Sequence, residues 1–237
     1  MDQSETMDHA DSVSPLEASE LPSLPTRVLN VFFSPGELMA GLKDKPAWAG
    51  ALVVGAILTV LSAILLPAEI FEAAMRQSIL ERGGPAPDNL ETMARFIRIG
   101  GMVGGGVFWF VMSAAMAGLL TLIFSFFLGD RGSYKQYLAV LAHAFLISAV
   151  GTLAVLPLRI AAQDASMLLS VGTLMPFLED GYPMRVLRLL DLFGLWAWAV
   201  VGIGVAVMEP KRTVGSAIVI VMFIPVTMAL VFGIFGG

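Results

Sequence analysis

The stretch "LRLLDLFGLWAWAVVGIGVAVM", residues 187–208, decides the fold class. It is apolar on every helical face, and its length suits the roughly 20 helical residues that bilayer hydrocarbon requires. It also carries Asp191. A charge at mid-bilayer costs about 2.5–3.5 kcal/mol on insertion scales, so the residue has a reason to be there. Three roles are open: a proton or ion carrier, a helix–helix contact, or an anchor at a helix end.

Working outward, four more runs of this kind cover residues 47–66, 102–128, 138–158 and 216–235. Barrel strands would alternate apolar and polar residues with frequent turns, which these runs do not. The composition agrees: 57% of residues are hydrophobic and 14% charged, against about 25% charged in ordinary globular chains. Mean hydropathy is +0.82. The expected fold is all-α, an integral membrane bundle of five transmembrane helices with amphipathic interfacial helices.

The spans leave three regions: an acidic tail over 1–24, an interfacial amphipathic segment over 25–46, and the transmembrane domain over 47–237. The tail supplies most of the net charge of −5, through Asp2, Glu5, Asp8, Asp11, Glu17 and Glu20. Such composition buries too little apolar surface to order itself. It also lacks the basic start and apolar centre of a signal peptide, so the first membrane helix is expected to direct insertion.

In the second region Ser34, Pro35 and Glu37 fall at N-cap, N1 and N3 of a helix predicted over 35–44, with Pro46 ending it. Leu38, Met39 and Leu42 share one face of that helix, directed at lipid or at the bundle. Ser133 and Gln136 make a second N-cap and N3 pair, opening helix three. Between helices one and two, residues 67–100 hold two amphipathic stretches around "GGPAPD", one with Ile70, Phe71, Ala74, Met75 and Ile79 on a face, the other with Leu90, Met93, Ala94 and Ile97. They are expected to lie on the bilayer surface or to roof the bundle.

Chemistry is sparse. With no Cys there is no thiolate nucleophile, disulfide or cysteine metal site. Of two histidines, His9 lies in the tail and His143 in helix three, and Asp191 is the one carboxylate inside the apolar runs. One histidine and one carboxylate cannot build a three-ligand metal site or a carboxylate pair, so no catalytic, metal or cofactor residues are assigned. In "GGMVGGGVFW" the pairs Gly100 and Gly104, and Gly101 and Gly105, have the spacing that lets helices approach closely. They are expected to pack inside the bundle, with a homodimer seam as the alternative. Pro225 is expected to kink helix five.

His143 then sits toward one leaflet, Asp191 and Arg159 toward the other. His143 reads as a neutral imidazole bonded to a neighbouring backbone or hydroxyl group. If helix four starts near Pro183, Asp191 lies about two turns in, and an ion pair with Arg188 or Arg159 would lower the cost of burying it. That role is structural; a transport relay through Asp191 and His143 is the alternative. Alternation of five spans divides the 14 basic residues equally between the two sides. The dense basic loops 129–137 and 209–215 favour the cytoplasm for the N-terminal side.

Three stretches carry a family likeness: "RVLNVFFSPGELMAGLKDKPAW" (27–48), "GDRGSYKQYLAVLAHA" (129–144) and "LLDLFGLWAWAVVGIGVAV" (189–207). On Ser34, Pro35, Pro46, Gly132, Tyr134, Asp191, Leu192, Phe193, Trp196 and Gly202, the chain resembles the Yip (Ypt-interacting protein) domain family, in its bacterial branch. The resemblance runs over residues 25–235 and implies a five-helix integral membrane protein with a cytoplasmic N-terminus. For a bacterial member the location is the inner membrane; eukaryotic members reside in Golgi and endoplasmic reticulum membranes and associate with small GTPases. The short acidic tail departs from that pattern, so GTPase recruitment is not carried over. The family often has a proline early in helix three where this chain reads "HAFLIS" (143–148), so a break there is not carried over either. The functional expectation is a non-enzymatic protein that associates laterally and organises the membrane or a partner complex. A small transporter or channel is the alternative. Expected partners are the lipid bilayer and a membrane protein or second copy, with no nucleic acid.

Overall fold

The computed structural model describes residues 21–85 and 87–235, so the tail expectation for residues 1–20 lies outside the described residues. Ten α-helices follow in order: α1 (Leu24–Phe33), α2 (Pro35–Asp44), α3 (Ala49–Leu65), α4 (Ala68–Glu81), α5 (Leu90–Leu120), α6 (Tyr134–Ala144), α7 (Leu146–Ala162), α8 (Tyr182–Leu189), α9 (Leu192–Met208) and α10 (Val214–Phe232). Helix α5 continues into π-helical turns over Thr121–Phe127. A short 3₁₀ turn covers Gly172–Leu174. The fold is an all-α bundle.

Neighbouring long helices run antiparallel, as their contacts fix. Gly55 of α3 lies under Trp109 of α5, while Thr59 of α3 meets Gly105. Phe124 of the π-helical turns stacks near Tyr137 of α6, and Trp109 meets Phe145 just beyond α6. Gly204 of α9 packs on Val140 of α6, and Gly151 of α7 on Phe193 of α9. The unit α6–α7 is the centre, with 67% of its apolar window buried, against 22% for α5 and 17% for α10 at the rim.

Helix α2 occupies the range that Pro35 and Pro46 predict, and its face of Leu38, Met39 and Leu42 turns to the bundle, where all three are buried. Residues 21–24, expected in the tail, belong to the packed unit: Leu21 meets Gly41, and Leu24 opens α1 and touches Gly50. Ser34 does not close a capping box; it is wedged between two helices, and its N–H is spent on Asn30 O as the end of α1. Ser133 does, with its hydroxyl facing the Gln136 N–H and the Gln136 side chain reaching back to the Ser133 N–H.

One expectation is met in part and one is corrected. The five spans do not all appear as full-length helices: three helices are long and apolar enough to cross a membrane, or four if α3 and α4 count as one bent pair. Both α3 and α9 have 17 residues, about 25 Å of helix. The second amphipathic stretch of 67–100 is no separate surface helix, since α5 runs unbroken from Leu90 through the glycines. Only α4 turns away, at 82° to α3. Helix three runs on from α6 into α7: Phe145 keeps helical dihedrals, with its N–H on Leu141 O at 2.9 Å and its carbonyl accepting from Ala149 N at 3.1 Å.

Candidate functional site

Asp191 is the residue the sequence singles out, and its environment differs from the expected one. Helix four does not run through it. Helix α8 stops at Leu189, the backbone extends at Leu190 and Asp191, and α9 starts at Leu192. The carboxylate caps α9, accepting from Gly194 N at 2.7 Å. This satisfies one of the amides that a helix start leaves unpaired, and places negative charge at the positive end of the helix dipole. The extended backbone is paired too: Leu192 N donates to Leu169 O and Val171 N to Leu190 O, both at 2.9 Å. Extended backbone inside a bilayer would need such partners, because lipid supplies none.

The two expected ion pairs are therefore absent among the described residues. Arg188 binds Asp180 at 2.8 Å on the exposed surface. Arg159 donates from Nε to Met167 O at 2.8 Å, holding the loop that follows α7. In that loop Asp164 accepts from Ser166 N and Oγ at 2.8 and 2.7 Å, and the Ser166 hydroxyl holds its pKa below the ordinary value. Of the three roles open for Asp191, the geometry is that of the end-of-helix anchor.

His143 is fully buried in α6. Its Nδ1 faces Ala139 O at 2.8 Å, and Nε2 lies 3.3 Å from Arg27 Nη1. With the proton on Nδ1, a neutral ring donates to the carbonyl and accepts from the guanidinium, and both ring nitrogens are used. Arg27 Nη1 also donates to Ala47 O at 3.1 Å, so the node ties α1 to α6 and to the turn before α3. Burial lowers the Arg27 pKa from its ordinary value. His143 and Asp191 are not brought together: Gly151, which packs on Phe193 beside Asp191, lies about 12 Å along the span from His143.

A second polar cluster, which the sequence did not reveal, closes the end of the bundle that carries α1 and α2. Arg212 grips Asp130 through Nε and Nη2 at 2.6 and 2.7 Å, with the guanidinium 5.1 Å over the Phe124 ring. Asp130 raises the Arg212 pKa. Glu209 is buried and accepts from the Arg131 and Lys211 N–H groups at 3.3 and 3.2 Å. Lys43 Nζ donates to Val207 O at 2.9 Å, and Gln136 Nε2 to Lys43 O at 2.7 Å. The one available signal was that alternation of spans puts loops 129–133 and 209–213 at the same end, each with a single acid and neighbouring cations.

Basic side chains repeatedly finish helix C-termini. Arg98 Nη2 donates to Ala63 O and Ile64 O of α3 at 3.1 and 3.0 Å, and also to Leu66 O. Arg185 Nε donates to Gly233 O at 3.0 Å beyond α10, where Tyr182 reaches Leu230 O at 2.8 Å. Each cation lies where the helix dipole is negative and the last carbonyls lack partners.

The other residues behind the family likeness are mostly packing devices. Ser34 and Pro35 form the α1–α2 joint and Pro46 the joint before α3. A Cβ at Gly132 would overlap the Tyr137 ring, and one at Gly202 would sit 2.7 Å from Ile218 Cα. Tyr134 donates to Ala114 O at 3.2 Å, and Trp196 meets Phe32 edge-on at 5.5 Å. The glycine seam of α5 is a correction in part: Gly105 faces Thr59 of α3, but Gly100, Gly101 and Gly104 have nothing within 4 Å of where a Cβ would stand, so these three do not pack inside the bundle. Among the described residues no three His, Cys, Asp or Glu side chains gather as metal ligands.

Three comparisons place this architecture. The chain is similar to membrane protein YknW of Bacillus subtilis (strain 168), at 26% identity over 195 residues, which cover 79% of this chain and 78% of that one. No solved structure matches. The Yip1 domain family model matches residues 29–235, from inside α1 to the end of the described chain. A chain matched over that whole range belongs to the Yip1 domain family, as a bacterial-type, multi-pass membrane protein.

Proposed function

We propose that this protein crosses the bacterial inner membrane five times, with its N-terminal side in the cytoplasm. It works without catalysis, associating laterally to organise the membrane or a partner complex. The observation that carries the association is the unused seam on α5. Gly100, Gly101 and Gly104 stand in open space beside exposed Val103, Val107 and Val111. Small residues on a lipid-facing helix allow a second helix to approach closely, and among the described residues no helix does so there. The groups a relay would use are engaged elsewhere: Asp191 with its own helix, His143 with Ala139 and Arg27.

Charge supports the orientation. Among the described residues, the cations making no side-chain hydrogen bond or ion pair are Lys45, Arg131, Lys135 and Lys211 at the end carrying α1 and α2, but only Arg82 and Arg95 at the other. Uncommitted cations gain most against the anionic cytoplasmic leaflet. The antiparallel packing of α9 against α6–α7 and α10 supports counting its 17 residues as a span, with local thinning of the bilayer making up the length.

This naturally cysteine-free chain makes both claims testable in intact cells. Gly84→Cys should react with an impermeant thiol reagent and Lys211→Cys, at an exposed position on the opposite side, should not; the reverse pattern refutes the orientation. Gly104→Cys should form a disulfide-linked or bifunctionally cross-linked adduct in native membranes. Failure there, with Gly101→Cys equally silent, refutes association through α5.

A further inference from the structure

Helix α4 leaves α3 at 82°, so where α3 crosses the bilayer α4 lies along its surface. Between α4 and the first three turns of α5 is a cavity of about 300 Å³, near the lower end of ligand-sized cavities. Its lining has an order. On the α5 side Glu91, Arg95 and Arg98 follow one another at helical spacing and give way to Met102; α4 adds Phe71 and Glu72. The stripe from Glu91 to Met102 is about 16 Å long and changes from charged to apolar toward the membrane interior.

The charges come in both signs. Arg98 uses only Nη2 on the carbonyls of α3, leaving Nη1 and Nε without a hydrogen bond among the described residues. Arg95 makes no side-chain bond there. Glu72 has one oxygen 3.5 Å from Arg76 and the other without a hydrogen bond, and Glu91 stands exposed in the first turn of α5. A purely anionic headgroup would meet two carboxylates, and a purely cationic one two guanidiniums. A zwitterion whose cation can donate hydrogen bonds satisfies both pairs.

We propose that this groove binds a diacyl lipid with a phosphoethanolamine headgroup, the phosphate on Arg95 and Arg98, the primary ammonium on Glu72 and Glu91, and one acyl chain leaving past Phe71 and Met102. The ammonium decides the identity. Its three N–H groups can donate to two carboxylates, whereas the quaternary ammonium of choline has no donor. This reading does not depend on which side of the membrane α4 occupies.

The test uses the full chain, purified in detergent and titrated with dioleoyl phosphatidylethanolamine, phosphatidylcholine or phosphatidylglycerol, with bound lipid counted by native mass spectrometry. Wild type should prefer the ethanolamine lipid by about tenfold over the other two, the scale of one charge-assisted hydrogen bond gained. Glu72→Gln/Glu91→Gln should bring ethanolamine and choline lipids to equal affinity. Arg95→Gln should weaken both together. Arg98 is left intact because it caps α3, and Glu91→Gln alone serves if the double variant fails to fold. Equal binding of all three lipids by wild type means annular lipid only and overturns the proposal. So does a preference for phosphatidylglycerol, or an ethanolamine preference that survives loss of the carboxylates.

Discussion

Replacing Asp191 separates a helix cap from a buried charge. As a cap, its contribution is one acceptor at 2.7 Å from Gly194 N, together with the attraction between a carboxylate and the start of α9. Losing an N-cap acceptor costs about 0.5–2 kcal/mol, and the dipole attraction is about 0.3–1 kcal/mol. Asp191→Asn and Asp191→Ser keep an acceptor and give up only the second contribution, so each should cost under about 1 kcal/mol. Asp191→Ala gives up both and should cost about 1–3 kcal/mol. Asp191→Leu should be no better, because apolar bulk leaves the Gly194 amide equally unpaired. At about 2–4 °C per kcal/mol for a chain of this size, melting in detergent should place Asn and Ser within a few degrees of wild type and Ala and Leu clearly below. Proton or solute flux in proteoliposomes should be the same for all. If Asn falls as far as Ala, the negative charge is what matters, as an ion pair with Arg159 would require, and the cap assignment fails. A pH-dependent flux abolished by Asp191→Asn in a normally folded protein would refute it from the other direction.

Three further predictions concern packing and the polar end of the bundle. Gly202→Ala sets a methyl 2.7 Å from the Ile218 backbone and should cost about 1–3 kcal/mol by forcing α9 from α10. Gly104→Ala meets nothing and should leave the melting of the single chain unchanged or raised, while weakening any adduct formed through α5. Arg212→Lys keeps the charge but loses the two-point grip on Asp130 and the stacking over Phe124. It should melt below wild type yet above Arg212→Ala, which strands a buried carboxylate at a cost of about 3–5 kcal/mol. If Lys and Ala melt alike, geometry rather than charge holds this pair.

Local chemistry was legible wherever it acts over one turn. Pro35 and Pro46 bracket α2, and the Ser133–Gln136 box starts α6, because the residues that decide these ends are neighbours in the chain. Ser34 and Glu37 have the same spacing, yet no box forms, because α1 ends on the residue that would open α2. The break at Leu190 was illegible for a related reason. The run around Asp191 is apolar without pause, and the extended backbone is held by Leu169 and Val171, some twenty residues upstream, where "SMLLSVG" gives no strand signal. The node of Arg27 and His143 joins positions 116 residues apart, and Asp130 meets Arg212 across 82. Period and composition carry no information about such meetings. The α5 glycines misled in the opposite sense: spacing marks a surface that can be approached closely and is silent on which helix approaches it.

The reach of Lys43 to Val207 has a consequence for the order of assembly. The two residues are 164 positions apart, so the contact that docks the end of α2 beneath α9 cannot exist until nearly the whole chain has been made. At about 5–20 residues per second, the ribosome takes on the order of 8–30 s to add the intervening length. For that interval Leu38, Met39 and Leu42, buried in the finished protein, have no α9 to cover them. Beside a membrane already holding α3, the nearest cover is the lipid boundary, and an amphipathic helix with an apolar face is suited to wait there. The N-terminal helices can also be held to α6 through Arg27 and Gln136 before the chain reaches α9, and the Lys43 contact can only close over them afterwards.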